Sequence, residues 1–130
     1  MREIKFRAWD FELNRMSKSF PLYSPLIKWS DGDIEMPIAF GLSKSKRFII
    51  MQYTTAKDRH GKEAYHKDIV KTRVVHYDKP LTKERIGVIE WDKSFYCWVI
   101  SYNGGDSMLD VEFEIIGNIY ENPELRRGVK

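Results

Sequence analysis

The sequence predicts an all-β fold, and three observations carry the prediction. Apolar and polar residues alternate with a period of two in most segments that contain apolar residues. Strand-like runs recur at intervals of roughly 8–15 residues, separated by turn-forming residues. Leu, Ile, Val and Phe make up about a quarter of the 130 residues, which is enough for one core and too much for a disordered chain. We therefore expect one small all-β protein.

The first part of the chain gives irregular strand signals. Ile4, Phe6 and Ala8 alternate with other side chains, and the polar segment 10–14 can turn the chain back so that segment 15–20 pairs with it. Two prolines and the sequence Asp31-Gly32-Asp33 argue against a long helix over 21–33. Segment 34–40 contains a proline and is at best an edge strand.

The middle of the chain predicts one further strand and a loop. The apolar run 48–51, ending at Tyr53, is typical of a strand. Residues 57–67 are polar and include Gly61, which indicates an exposed loop or hairpin. The interval between Tyr53 and Asp68 is the best candidate for a subdomain boundary. We expect subdomains of about 1–60 and 61–130 within a single domain.

The second half gives clearer strands. Segments 69–77 and 85–91 alternate, the polar residues 92–94 form a turn, and segment 95–102 is apolar on both faces. The last of these is expected to be a central strand. A turn at 103–106 and a final strand at 113–120 follow, and only 80–85 and 107–111 suit short helical turns. Strands of this length are used by small SH3-like barrels.

Charge is distributed unevenly although the net formal charge is only +3. Segment 42–73 carries a surplus of six positive charges, and segment 105–125 carries six acidic residues and no base. If the two segments lie on opposite faces, the basic face can meet nucleic acid and the acidic face a protein. If they lie side by side, they neutralise each other within the fold or across a contact between subunits.

Aromatic residues are unusually frequent, at 14% of the chain. Tyr53, Tyr65 and Tyr77 lie in or beside the basic segment, where aromatic rings can stack on bases. The competing interpretation is that a small barrel fills its core with large rings. The candidate nucleic-acid-binding residues are Lys57, Arg59, Lys62, Lys67, Lys71, Arg73 and Tyr65.

No constellation of residues indicates catalysis or a cofactor, and we expect neither. His60, His66 and His76 lack metal-ligand spacing. Asp31, Asp33 and Glu35 alternate as a calcium loop begins, but the rest of such a loop is missing. Cys97 stands between aromatic residues, which predicts a small buried side chain and not a nucleophile. No apolar run reaches the ~20 residues of a membrane helix, so we expect a cytoplasmic protein without a membrane partner.

Four motifs resemble the YopX family, a group of small proteins encoded by phages and prophages. They are the opening MREIKFRAWD, the central IMQYT…KD..GKE.Y..DIV, the IGVIEWD that begins at Ile86, and the closing FEIIGNIYENPEL. The resemblance implies an irregular N-terminal β subdomain, a C-terminal SH3-like barrel and life in a bacterial host. It implies no known activity and hence no catalytic residues.

The chain departs from the family pattern at two places. The resemblance implies glycine where Thr55 stands, and an acidic-glycine pair where His66 and Lys67 stand. The second departure suggests a different turn geometry before Asp68. Independently of the family, Gly117 inside an apolar strand indicates a bulge or a close backbone approach.

The functional hypothesis is a non-enzymatic module that binds another phage or host protein or forms a homo-oligomer. Its motivation is the segregation of charge, which could make complementary contacts between copies. The alternative hypothesis is an accessory protein that binds nucleic acid through the basic segment.

Overall fold

The structure is a computed structural model that describes residues 3–21, 27–29, 31–35, 47–75, 82–102, 105–109 and 111–128. Within these residues it contains twelve β-strands and one 3₁₀ helix, which confirms the all-β prediction. None of the described helical residues forms a segment long and apolar enough to cross a membrane. The chain divides into two compact units, Met1–Thr55 and Ala56–Lys130. The subdomain limits expected near residue 60 stay a prediction.

The N-terminal unit is built on the hairpin expected from the sequence. β1 (Lys5–Asp10) pairs antiparallel with β2 (Arg15–Met16) and β3 (Phe20–Pro21). Asp10 Oδ1 accepts hydrogen bonds from the Glu12 and Leu13 N–H groups at 2.9 and 3.3 Å, so the polar turn forms for the reason that its composition suggests.

Two very short strands complete the N-terminal unit. β4 (Ile27–Lys28) pairs with β5 (Ile34–Glu35), which is the described part of the expected edge segment. Ala8, Ile27 and Trp29 form the buried centre of this unit. On the other side of β1 lies β6 (Phe48–Lys57), which is longer than expected because the strand continues beyond Tyr53 to Lys57. The sheet has the order β2-β1-β6-β7, where β7 is Glu63–Tyr65, and β3 pairs with β1.

Buried charges hold the N-terminal hairpin to the neighbouring turn. The Arg15 guanidinium donates hydrogen bonds to Asp10 Oδ2 at 3.2 Å, Asp31 Oδ2 at 3.1 Å and Asp33 Oδ2 at 2.7 Å. The Arg47 guanidinium donates to Asp10 Oδ2 at 2.9 Å. Two of the three carboxylates that suggested the start of a calcium loop, those of Asp31 and Asp33, therefore bind an internal arginine.

The C-terminal unit contains a five-stranded antiparallel sheet of order β11-β10-β9-β8-β12. Its strands are β8 (Asp68–Val75), β9 (Thr82–Asp92), β10 (Cys97–Tyr102), β11 (Gly105–Met108) and β12 (Phe113–Asn118). As expected, β10 is central, because both of its faces are apolar. The core of the C-terminal unit is formed by Ala64, Val70, Ile89, Ile100, Tyr102 and Phe113.

Gly117 interrupts β12 as predicted. The register against β8 shifts between Ile115 and Gly117, which is the mark of a bulge. A Cβ atom at Gly117 would lie 2.5 Å from Asn122 Oδ1, so the neighbouring chain also approaches closely. The 3₁₀ helix Pro123–Gly128 follows.

Three local expectations were wrong. The described residues of segment 80–85 belong to β9, and Ser107 and Met108 belong to β11, so neither place is a helical turn where it is described. Strand pairing overrides the weak helical signal there. The hairpin between β9 and β10 has four residues outside its strands, 93–96, because Cys97 pairs with Asp92. Phe95 and Tyr96 therefore lie in the turn and not in a strand.

Candidate functional site

The basic residues proposed from the sequence are spread over several elements of the C-terminal unit. Lys57 ends β6, and Arg59 and Lys62 lie in the exposed loop before β7. Lys67 lies in the turn before β8, whereas Lys71 and Arg73 are on β8 itself.

Carboxylates lie next to two of these cations. Lys67 Nζ donates to Glu90 Oε2 at 2.8 Å, and Arg59 Nε lies 3.7 Å from Glu112 Oε1. Burial opposes ionisation of Glu90, but hydrogen bonds from His66 and Lys67 outweigh that effect and lower the pKa of Glu90. The positive charge of Lys67 is thus compensated within the unit.

Strand register brings further acids to the basic strand. Because β12 and β9 flank β8, Lys71 stands opposite Glu114 and Arg73 opposite Glu84. The parts of the basic and acidic segments that lie on β8 and β12 are therefore side by side. For these residues the structure has the arrangement, of the two that the sequence left open, in which opposite charges are neighbours.

The tyrosines proposed for base stacking are largely inaccessible where they are described. The Tyr65 residue is 5% exposed and Tyr53 is 4% exposed, with Lys5 Nζ 4.9 Å from the Tyr53 ring centroid. Tyr77 and His76 lie outside the described residues. Core packing is the role that the structure gives to Tyr53 and Tyr65, because neither ring offers a free face for a base.

The central family motif builds a rigid loop. Asp58 accepts hydrogen bonds from the N–H groups of His60 and Lys62, both at 2.9 Å, and of Ile115 at 3.0 Å. Burial opposes ionisation of this carboxyl group, yet these three donors prevail and lower the pKa of Asp58. Its chemistry is therefore that of a structural acceptor.

The two positions that depart from the family pattern keep a glycine-like backbone. Thr55 has φ of 71° and Lys67 has φ of 74°, both in the left-handed region. Before Asp68, lysine adopts the conformation that glycine favours. The expectation of a turn geometry different from that of the family stays a prediction. Asp68 stabilises this turn, since its Oδ2 accepts a hydrogen bond from the Tyr65 N–H at 2.8 Å.

An aromatic surface lies at the end of the β9–β10 hairpin and consists of Trp91, Phe95, Tyr96 and Trp98. Phe95 is 78% exposed and Tyr96 is 79% exposed. The turn that carries them is fixed, because Asp92 Oδ1 accepts hydrogen bonds from the Ser94 and Phe95 N–H groups at 2.8 and 3.2 Å. These are the two most exposed large apolar side chains among the described residues.

The base of the aromatic surface is packed. The Trp91 and Trp98 rings meet edge to face, with centroids 5.1 Å apart, and the His66 ring lies 5.2 Å from Trp98. His66 Nε2 is also 3.3 Å from Glu90 Oε1. The strand ends on both sides of the turn that carries Phe95 and Tyr96 are therefore packed against each other.

Sequence reasoning missed this surface. The run Phe95-Tyr96-Cys97-Trp98 alternates like a strand, and nothing in its composition marks where the turn ends. Residues 92–94 predict the turn, since aspartate caps the turn that follows it, but they do not show that the turn continues through Phe95 and Tyr96.

The remaining candidates are the potential metal-ligating side chains and Cys97. In the described part of the chain, no group of three or more His, Cys, Asp and Glu side chains is placed to hold a metal ion. Cys97 is half-buried rather than buried, and its Sγ lies 3.8 Å from Met108 Sδ.

Comparison with known proteins agrees with the motifs. Among solved structures, the chain is similar to the crystal structure of protein EF1440 from Enterococcus faecalis, with a TM-score of 0.60 and 22% sequence identity. The match covers 94% of this chain and 96% of that one, and it shows a shared fold. No curated protein sequence matches. The family model for YopX protein matches residues 5–126, nearly the whole chain, and the chain therefore belongs to the YopX family.

Proposed function

We propose that this YopX protein is a non-enzymatic protein-interaction module whose aromatic surface inserts into an apolar pocket of a different protein. The observation that carries the proposal is the pair Phe95 and Tyr96, which are 78% and 79% exposed on a fixed turn. Aromatic residues held in this way are typical anchors of protein interfaces.

The size of the exposed rings supports an anchor rather than a complete interface. At their exposure, the two rings offer roughly 300 Å² of apolar surface, given ~150–250 Å² for a fully buried aromatic side chain. A standard interface buries about 800 Å² on each partner, so the rings supply its centre and polar neighbours supply the rim. Because the tip protrudes, the complementary surface is concave, which favours a different protein as the partner.

Fixation of the turn favours tight binding. A loop that is ordered before association loses less conformational entropy on binding. The Asp92 hydrogen bonds and the Trp91–Trp98 contact supply that order here.

We further propose a phage or prophage origin and a cytoplasmic site of action.

The proposal includes an SH3-like barrel in the C-terminal unit. Four consecutive strands, β8 to β11, form a meander, and β12 returns to pair with β8. A last strand that returns beside the first gives the strand order of a small, partly open barrel whose two edges are β11 and β12.

The experiment uses the full chain with a photo-crosslinking residue in place of Ser94, next to the rings. A crosslinked bacterial or phage protein is identified, purified and titrated against the unmodified chain. We expect saturable binding that weakens at least tenfold in a Phe95→Ser/Tyr96→Ser double variant. A Phe11→Ser variant is the matched control, since Phe11 is an aromatic residue exposed on the N-terminal unit. Equal binding by the double variant, or no crosslinked protein, would overturn the proposal.

The nucleic-acid hypothesis ranks second. Lys57, Arg59 and Lys62 remain exposed around the Asp58 loop. Glu112 beside Arg59 and Glu114 opposite Lys71 limit phosphate binding. Fluorescence anisotropy with mixed single- and double-stranded DNA and RNA at ~50 mM salt tests it, since phosphate contacts are strong at low salt. Tight binding that weakens steeply with added salt would promote this hypothesis above the first.

A further inference from the structure

The two outer edges of the C-terminal sheet differ in how they are covered. The edge of β12 is occupied, because the Arg59 N–H donates to the Phe113 carbonyl oxygen at 2.9 Å and Asp58 Oδ2 accepts from the Ile115 N–H. In the part of the chain that the structure describes, β10 is the only strand that pairs with the β11 backbone. An uncovered edge strand is a template for pairing with another chain.

The register identifies the backbone groups that face outward from β11. The Ile89 carbonyl oxygen accepts from the Lys67 N–H at 2.9 Å, so the Ile89 backbone points away from β10. Backbone N–H and C=O groups alternate in direction along an antiparallel strand, so those of Val99 are directed towards β9. Those of Met108, the partner of Val99 on β11, are therefore directed outward, away from β10. Asp106, two residues earlier, points outward as well.

We propose that β11 pairs antiparallel with β11 of a second copy of this chain. In one register of a two-fold arrangement, Asp106 stands opposite Met108 of the second copy, and Ser107 lies on the axis. All outward N–H and C=O groups of the two residues are then bonded, and the two Asp106 carboxylates do not face each other directly. The two five-stranded sheets become one continuous sheet.

Other features of β11 suit this occupant. The strand GDSM contains none of the lysines or prolines that commonly block edge pairing. The Met108 residue is 54% exposed, so pairing also covers apolar surface. Two-fold dimers, in which the same surface of each copy forms the contact, are the commonest homo-oligomers. Because only three residues of β11 pair on each copy in this register, the dimer is expected to form reversibly with concentration.

The test is sedimentation velocity of the full chain over a wide concentration range, together with amide hydrogen exchange. We expect a monomer–dimer equilibrium and protection of the Asp106 and Met108 amides that rises with concentration, while protection of the inward Ser107 amide stays constant. Met108→Pro removes one outward N–H group without removing a bond to β10, and it should abolish the dimer. Met108→Leu, which keeps the N–H group, is the matched control and should dimerise.

A monomer at every concentration, or a dimer unaffected by Met108→Pro with no change in exchange at Asp106 and Met108, would overturn the inference. The exchange measurement on the unmodified chain decides the matter even if the proline variant fails to fold. The Phe95→Ser/Tyr96→Ser variant should still dimerise. This result separates the β11 contact from the proposed function of the aromatic surface.

Discussion

Trp91 and Trp98 stand directly opposite each other on β9 and β10, and their rings meet at 72° with centroids 5.1 Å apart. Their exposure is unequal, because Trp98 packs against the core whereas Trp91 is 43% exposed. The pair therefore connects the core of the C-terminal unit to the strand ends beside the turn that carries Phe95 and Tyr96.

This difference in burial predicts different costs of truncation. Trp98→Ala should lower the free energy of unfolding by about 3 kcal/mol, because it leaves a cavity beside the core. Phe95→Ala should change it by less than about 0.5 kcal/mol, as expected for an exposed side chain. Urea denaturation followed by circular dichroism measures both. Equal losses in the two variants would contradict the assignment of Phe95 to an exposed surface.

Stability should fall in acid partly through Asp10. A hydrogen bond from Arg47, together with backbone donors and Arg15, lowers the pKa of Asp10 from 3.8 to about 2. A lowered pKa in the folded state stabilises the protein above pH 4, and this contribution is lost as the pH falls from about 4 to 2. After allowance for solvent screening, the loss is roughly 1–2 kcal/mol.

Urea denaturation of the unmodified chain and of Asp10→Asn between pH 2 and 6, a range that brackets both pKa values, measures this contribution. The asparagine variant should be less stable at pH 6 and should lose less stability towards pH 2. Glu124→Gln, at an exposed position, is the matched control and should follow the unmodified chain. Parallel pH profiles for Asp10→Asn and the unmodified chain would rule out the role of Asp10.

Thr55→Gly should raise the free energy of unfolding by about 1 kcal/mol, because a β-branched residue is strained at a φ of 71°. Lys57→Gly also introduces a glycine, but at an exposed strand position, and should lower the free energy of unfolding by about 0.5–1 kcal/mol. Thermal unfolding of both variants tests the opposite signs. Destabilisation by Thr55→Gly would argue against the left-handed conformation at this position.

Gly117→Ala should destabilise the C-terminal unit by about 2 kcal/mol. The added Cβ would lie 2.5 Å from Asn122 Oδ1 and 3.0 Å from Asn122 Cβ, so side-chain rotation alone cannot relieve the clash. The second variant Gly117→Ala/Asn122→Gly removes the obstructing side chain. The alanine should cost less stability in the Asn122→Gly background than in the unmodified background, when each variant is compared with the same chain carrying glycine at position 117.

Much of the fold could be predicted because local patterns specify local structure. The strand that contains Phe6 and Ala8, the polar turn that Asp10 caps and the glycine bulge at position 117 all follow from neighbouring residues. The hairpin tip could not be placed in this way. Both Phe95 and Tyr96 fit a strand, and only the pairing of Cys97 with Asp92 puts them in the turn.

The sequence by itself determined the all-β class, the family and the separation of basic from acidic segments. Tertiary structure decided what that separation means, since pairing of β8 with β12 places Lys71 opposite Glu114. It also decided that Tyr65 is buried while Phe95 and Tyr96 are exposed. The physical reason is that strand register depends on contacts between residues far apart in the chain, and register sets both the neighbours of a charge and the face on which a ring lies.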